Sequence, residues 1–215
     1  MIATRWWWIR HAPVVGHDGR IYGQDDHECD CGDPASLALL ATSLPAHALW
    51  VTTPLKRTGQ TARALIAAGA PAPAAEREEP AFLEQHFGQW QGLTHDELRI
   101  RRDGAWHRFW LAPASETPPG GESFADVVSR VGTAVRRIGA AEAGRDIVVV
   151  AHGGSIRAAL AHALGVDAER ALAFAIDNCS LTRLDHFPAD EAWRIGAVNF
   201  LPQGQRPAKG AAERR

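Results

Sequence analysis

The chain has 215 residues, 46% apolar and 22% charged, which is enough apolar material for one substantial core and too little length for two full domains. A formal net charge of -2 excludes a global electrostatic footprint for nucleic acid or a membrane surface, so any anion site has to be local. Three cysteines, an odd number with no secretory signal before them, fit a reducing cytoplasm.

The first predicted strand, residues 2–9, is a bulky apolar run that stops at Arg10 and His11, after which Ala12-Pro13 forbids simple continuation. Asp33-Pro34 then signals a helix over 34–42, with Asp33 as N-cap and Pro34 in the first turn. Residues 34–55 are uncharged and long enough to suggest a membrane span, but Pro45, His47 and the Ser/Thr content argue against one. A strand at 48–52 runs through Thr53-Pro54 into a helix at 55–67 whose first turn carries Arg57. The Ala/Pro-rich stretch 69–75 reads as a loop, 94–102 as a helix, and 112–121 as a second long loop. Glu122 and Ser123 open a helix over 122–139; the β-branched strand 147–151 then delivers His152, Gly153-Gly154 and a helix at 155–164. Strands at 173–176, 181–184 and 193–200 follow one another directly, which predicts an antiparallel edge. The alternation as a whole predicts an α/β fold, a three-layer α/β/α sandwich around a mostly parallel sheet. Residues 1–203 are expected to form a single domain and 204–215 a disordered tail.

In open α/β sheets ligands collect beyond the carboxyl ends of the strands. Three predicted strands end in groups suited to the same chemistry, with Arg10 and His11 after the first, Arg57 after the second and His152 after the third. Two arginines, two imidazoles and two helix N-termini would converge, an arrangement that binds an anion through forked donors and unpaired N–H groups. A phosphate monoester is the natural occupant. Each element alone is weak; the conjunction at three strand ends carries the expectation.

The segments "RHAP", "TPLKRTGQTA", "LEQHFGQWQG", "PGGES" and "AHGGSIR" resemble the ordered motifs of the histidine phosphatase superfamily, with its phosphoglycerate mutase-like fold. The third and fourth most resemble the branch that holds α-ribazole phosphatase. The resemblance implies that His11 is the nucleophile, that Arg10, Arg57, His152 and Gly153 hold phosphoryl oxygens, and that Glu84 protonates the leaving group. It implies no cofactor and no metal, and a phosphate monoester as the partner molecule, with α-ribazole 5′-phosphate and sugar phosphates as examples. A mutase-type phosphotransferase and a non-catalytic phosphate-binding module are the alternatives. On this reading His11 is neutral at its attacking nitrogen and His152 is protonated beside the phosphate.

The sequence departs from the family pattern at Ala12, where Gly is usual, at Pro13, where an acidic residue is common, and at His17, where Asn is frequent. His17 is set equally as a phosphate donor and an exposed loop residue. Tyr22-Gly23 matches a substrate contact site in the family, although such a pair also makes ordinary turns. Glu122 and Ser123 match pocket-lining positions, with helix capping at least as strong a reading. Trp90, Trp106 and Trp110 could cover an apolar substrate moiety, but core packing is the stronger reading. His27, Cys29 and Cys31 suggest a metal site, yet no second cysteine pair follows at zinc spacing. The segment 101–110 mixes arginine with aromatics, and an element flanking the pocket is favoured there over nucleic-acid stacking. The sequence leaves the oligomeric state open, a homodimer included.

Overall fold

The computed structural model describes residues 2–105 and 107–201. The elements in chain order are β1 (Thr4–Arg10), α1 (Pro34–Ala41), β2 (Leu49–Thr52), α2 (Lys56–Ala67), β3 (Ala75–Glu78), α3 (His95–Arg101), α4 (Phe124–Ala141), β4 (Asp146–Ala151), α5 (Gly153–Leu164), α6 (Ala168–Ala171), β5 (Leu181–Phe187) and β6 (Ala192–Phe200). The strands form one six-stranded sheet in the order β3-β2-β4-β1-β5-β6. From β3 to β1 the pairing is parallel, and β5 and β6 add an antiparallel edge.

Side-chain alternation along each strand sorts the core into two layers. Trp6 and Trp8 of β1, Leu49 and Val51 of β2, and Ile147 and Val149 of β4 pack on one face with Phe124, Val131 and Ile138 of α4. Ile9, Trp50, Val148 and Val150 point the other way, onto Leu37 and Leu40 of α1 and Leu65 of α2. Trp8 stacks on Trp6 at 5.8 Å and meets Phe82 edge-on at 4.8 Å. The tryptophan run thus anchors β1 at the centre of the sheet.

Register decides where that anchoring leads. Ile9 pairs with Val150 and Arg10 with Ala151, so β1 and β4 end level. The His11 N–H donates to the Ala151 carbonyl at 3.0 Å, which sets His11 and His152 side by side. Val51 of β2 aligns with Val149 of β4, bringing Thr53 and the start of α2 to the same edge.

The predicted strand at 173–176 is not a strand. Two of its carbonyls are taken by side chains instead: Arg157 Nε donates to Phe174 O at 2.8 Å and Arg10 Nη1 to Ile176 O at 2.6 Å. The short helix α6, capped by Asp167, precedes it and has no counterpart among the predicted elements. Nor does β3, whose AERE sequence is mostly exposed at the sheet edge and lacks the apolar alternation that marks a half-buried strand. Helix α5 begins at Gly153 with His152 at the N-cap, two residues earlier than expected. Trp106 and residues 204–215 lie outside the described residues. Among the described residues no helix is long and apolar enough to cross a membrane, and within 34–55 the chain forms a short helix and a strand instead.

Candidate active site

Beyond the level ends of β1 and β4 the two imidazoles face each other, with ring centroids 5.2 Å apart and planes inclined by 60°. His11 is almost fully buried and its Nδ1 lies 2.7 Å from the Ala12 carbonyl. A carbonyl only accepts, so Nδ1 carries the hydrogen and Nε2 keeps a free lone pair. Two further bonds fix this turn: Asn178 Nδ2 donates to the His11 carbonyl at 2.8 Å, and the Ala12 N–H donates to Thr61 Oγ1 at 2.9 Å. Thr61 falls within a quoted motif and Asn178 outside all of them, but neither role is legible in the sequence, because each acts through backbone that only the fold brings near.

Arg57 is fully buried on the first turn of α2. Its guanidinium donates to the carbonyls of Asp25 (2.8 Å) and Gly23 (2.6 Å), and Nε donates to His152 Nδ1 at 3.3 Å. His152 Nε2 meets Thr53 Oγ1 at 3.0 Å. Because Nδ1 accepts from Arg57, His152 is the neutral Nε2–H tautomer here, whereas the sequence reading expects an imidazolium. Burial is the leading cause: it lowers the pKa of both histidines well below 6.5, and the cations add to it, Arg10 and Arg57 at His11, Arg57 foremost at His152.

That direction has a consequence in solution. Both folded values lie below the unfolded one, so the unfolded chain takes up more protons as pH falls through about 6.5, and stability is lost on that side. A dianion placed between the rings acts in the opposite sense. Long-range ¹H–¹⁵N spectra are expected to show both imidazoles neutral at pH 6, and titration with inorganic phosphate to raise their midpoints by about one unit or more. Midpoints at or above 6.5 without phosphate contradict this.

Glu84 reaches the same point from the segment after Phe82. Its carboxylate accepts the Gly154 N–H at 3.1 and 3.2 Å and the Gln85 N–H at 2.9 Å. Gly154 is required for this approach, since a Cβ there would collide with Glu84 Oε1. Arg10 donates through Nη1 to Ile176, while its Nε is buried without a partner beside Gly153. The structure therefore brings Arg10, His11, Arg57, Glu84, His152 and Gly153 to one place.

The remaining predicted residues fall into two groups. Tyr22 lies under the Arg57 guanidinium at 5.2 Å and is flanked by the rings of His17 and His27. Gly23 has φ +43°, and a Cβ on it would crowd Gln91 and Phe87, so the Arg57 contact at its carbonyl depends on glycine. His17 is half-exposed, with Nδ1 3.3 Å from the Arg20 carbonyl. Glu122, by contrast, forms a two-toothed pair with Arg130 and accepts the His86 N–H. Ser123 caps α4 in a reciprocal box with Asp126. These partners account for the polar atoms of both residues: Glu122 braces the segment after Glu84 against α4, and Ser123 serves the helix cap. Trp90 is buried beneath Arg102, and Trp110 lies nearer the site, its Nε1 donating to Gln85 Oε1 at 2.7 Å. Cys29 Sγ stands 3.7 Å from Cys31 Sγ, and among the described residues no three His, Cys, Asp or Glu side chains are grouped to hold a metal ion.

Comparison with known proteins identifies the family. The family model of the Histidine phosphatase superfamily (branch 1) matches residues 6–200. A glucosyl-3-phosphoglycerate phosphatase of Mycolicibacterium vanbaalenii is 34% identical over 218 residues, covering 91% of this chain and 94% of that protein. A bifunctional protein of Mycobacterium tuberculosis is 39% identical over 118 residues, 55% of this chain, and the match spans 32% of that protein's length. Among solved structures, a mycobacterial glucosyl-3-phosphoglycerate phosphatase in complex with VO3 superposes with a TM-score of 0.76 at 30% identity, covering 92% of this chain and 99% of that one. A putative alpha-ribazole-5'-P phosphatase from Escherichia coli shares the fold, with a TM-score of 0.76 at 23% identity and coverage of 95% and 100%. The match runs from the tryptophan strand through the last residue of β6 and takes in every segment that meets at the strand ends: the chain belongs to branch 1 of the histidine phosphatase superfamily.

Proposed function

We propose that the protein hydrolyses a small phosphate monoester, without a metal ion, through a phosphohistidine at His11. The observation that carries this reading is the bond from His11 Nδ1 to the Ala12 carbonyl, because it leaves a lone pair on Nε2 among cationic groups. Family membership and relatives named as phosphatases support the reaction class, hydrolysis of a phosphoric monoester.

In the first half-reaction Nε2 attacks phosphorus, the ester P–O bond breaks, and the leaving alkoxide takes a proton from the Glu84 carboxyl. In the second, water attacks the phosphohistidine, gives its proton to the Glu84 carboxylate, and inorganic phosphate leaves with Nε2 restored. Phosphoryl transfer needs alignment and charge stabilisation more than covalent help. Arg10, Arg57 and His152, held by backbone and by each other, supply both without reorganising.

For the alcohol moiety, α-ribazole 5′-phosphate and sugar phosphates remain the readings drawn from the motifs. The name of the relative that aligns along most of the chain adds glucosyl-3-phosphoglycerate. Turnover of a phosphomonoester panel in chelator and ¹⁸O-water tests the proposal. Hydrolysis places one ¹⁸O in each released phosphate; transfer to a second substrate hydroxyl with no labelled phosphate identifies a mutase, and binding without turnover a non-catalytic module.

A further inference from the structure

One cation beside the catalytic cluster plays no part in the two half-reactions. Arg157 sits on α5, three residues beyond Gly154 and four beyond Gly153, so its side chain lies on the same face of the helix as the glycines that meet Glu84 and Arg10. It is held firmly at two points: Nε donates to Phe174 O at 2.8 Å, and the guanidinium lies over the Trp110 ring at 4.7 Å. Trp110 is itself fixed by Gln85 and packs against Phe124. Among the described residues no carboxylate forms a salt bridge with Arg157, and its two terminal nitrogens have no hydrogen-bond partner. Nη1 lies 3.0 Å from where a Cβ on Gly153 would be, and Arg10 Nε lies 3.7 Å from that same point. Burial and the neighbouring Arg10 bring its pKa down to about 10, which leaves it charged at neutral pH. Arg157 is half-buried with its terminal nitrogens open to solvent, and Glu84 and Asp177 bear on it electrostatically without forming a salt bridge, so the immobilised fork can answer an anionic group.

We propose that Arg157 is a specificity-determining residue that receives a carboxylate on the alcohol part of the substrate, so that preferred substrates are phosphate esters of hydroxy acids. This rests on the phosphatase reading and deepens it. Arg10 and Arg57 already serve the phosphoryl group, which leaves one further cation and hence room for one further negative charge. A carboxylate fits that count, and it matches a planar guanidinium two bonds at a time. The side is fixed as well. Arg157 rises from the same glycine turn that receives Glu84, the proton donor to the leaving oxygen, so the anion it binds belongs to the leaving group, a few bonds from the ester oxygen.

The test uses 2-phospholactate and its carboxyl methyl ester, which differ in that one charge. Calorimetry on the full-length His11→Ala protein reads binding without turnover. The acid is expected to bind about tenfold or more tightly than the ester, as a charged hydrogen-bonded pair implies. Adding Arg157→Gln is expected to bring the two together, while Arg157→Lys keeps part of the preference. Equal binding of acid and ester to the Arg157 protein overturns the inference without needing any Arg157 variant, and so does a preference that survives Arg157→Gln. Turnover of p-nitrophenyl phosphate by the unsubstituted enzyme reports separately on the phosphatase reading. Its absence removes that reading and leaves the binding comparison decisive for Arg157.

Discussion

Replacing His11 with alanine is expected to cut turnover of phosphate monoesters on the order of 10⁴-fold or more, as loss of a nucleophile does, and to abolish acid-labile phosphate on the protein. No neighbour can take over. His152 is the nearest imidazole, but its Nδ1 accepts from Arg57 and its Nε2 is engaged by Thr53. Unfolding is not the expected cause. His11 is a buried base whose pKa is pushed down by desolvation, so its removal takes away one group that destabilises the fold on acidification, and the fall in stability between pH 7 and 5 becomes shallower. Steady-state kinetics on p-nitrophenyl phosphate, alkaline-quench trapping with ³²P-labelled substrate, and thermal unfolding at both pH values read the three consequences. A variant that keeps a tenth of the wild-type rate, or still carries acid-labile label, removes His11 as the phosphorylated group.

Much of this site is legible in the sequence because its parts sit at strand exits, where sequence pattern is strongest. The runs ending in Ile9 and Ala151 are β-rich and bounded by polar residues, and both form central parallel strands. Helix starts are legible where a side chain caps them, as at Asp33 and Thr94. What stays hidden depends on contacts between segments far apart in the chain. Arg157 falls within one of the quoted motifs, yet only the fold shows its fork lying over Trp110, 47 positions earlier. The neutral state of His152 follows from Arg57, 95 residues away. The stretch 173–176 has strand-like composition, but the guanidinium groups of Arg10 and Arg157 take two of the carbonyls a neighbouring strand would have used. Local propensity is overridden there by tertiary hydrogen bonding.

Substituting Glu84 with glutamine is expected to slow alkyl phosphates by about 10²–10⁴-fold, the usual contribution of a positioned general acid, and p-nitrophenyl phosphate far less. The difference arises because an alkoxide must be protonated as it departs, whereas nitrophenolate is stable unprotonated. Geometry supports the assignment: Glu84 is buried, and its carboxylate is aimed by the Gly154 and Gln85 N–H groups at the mouth of α5, next to His152. Glutamine keeps the shape and loses the proton, and its amide nitrogen cannot accept those N–H bonds. A second substitution separates position from chemistry. Gly154→Ala drives a methyl into Glu84 Oε1, and the far end of a side chain yields more readily than the backbone of a helix. The carboxylate is therefore displaced while the residue remains present, and the same selective loss on alkyl esters is expected with the fold retained. The readout for both variants is the dependence of kcat/KM on leaving-group pKa, which should steepen relative to wild type. Equal losses on alkyl and nitrophenyl esters would take the proton-donor role away from Glu84 and leave it as a residue that only braces the entrance to α5.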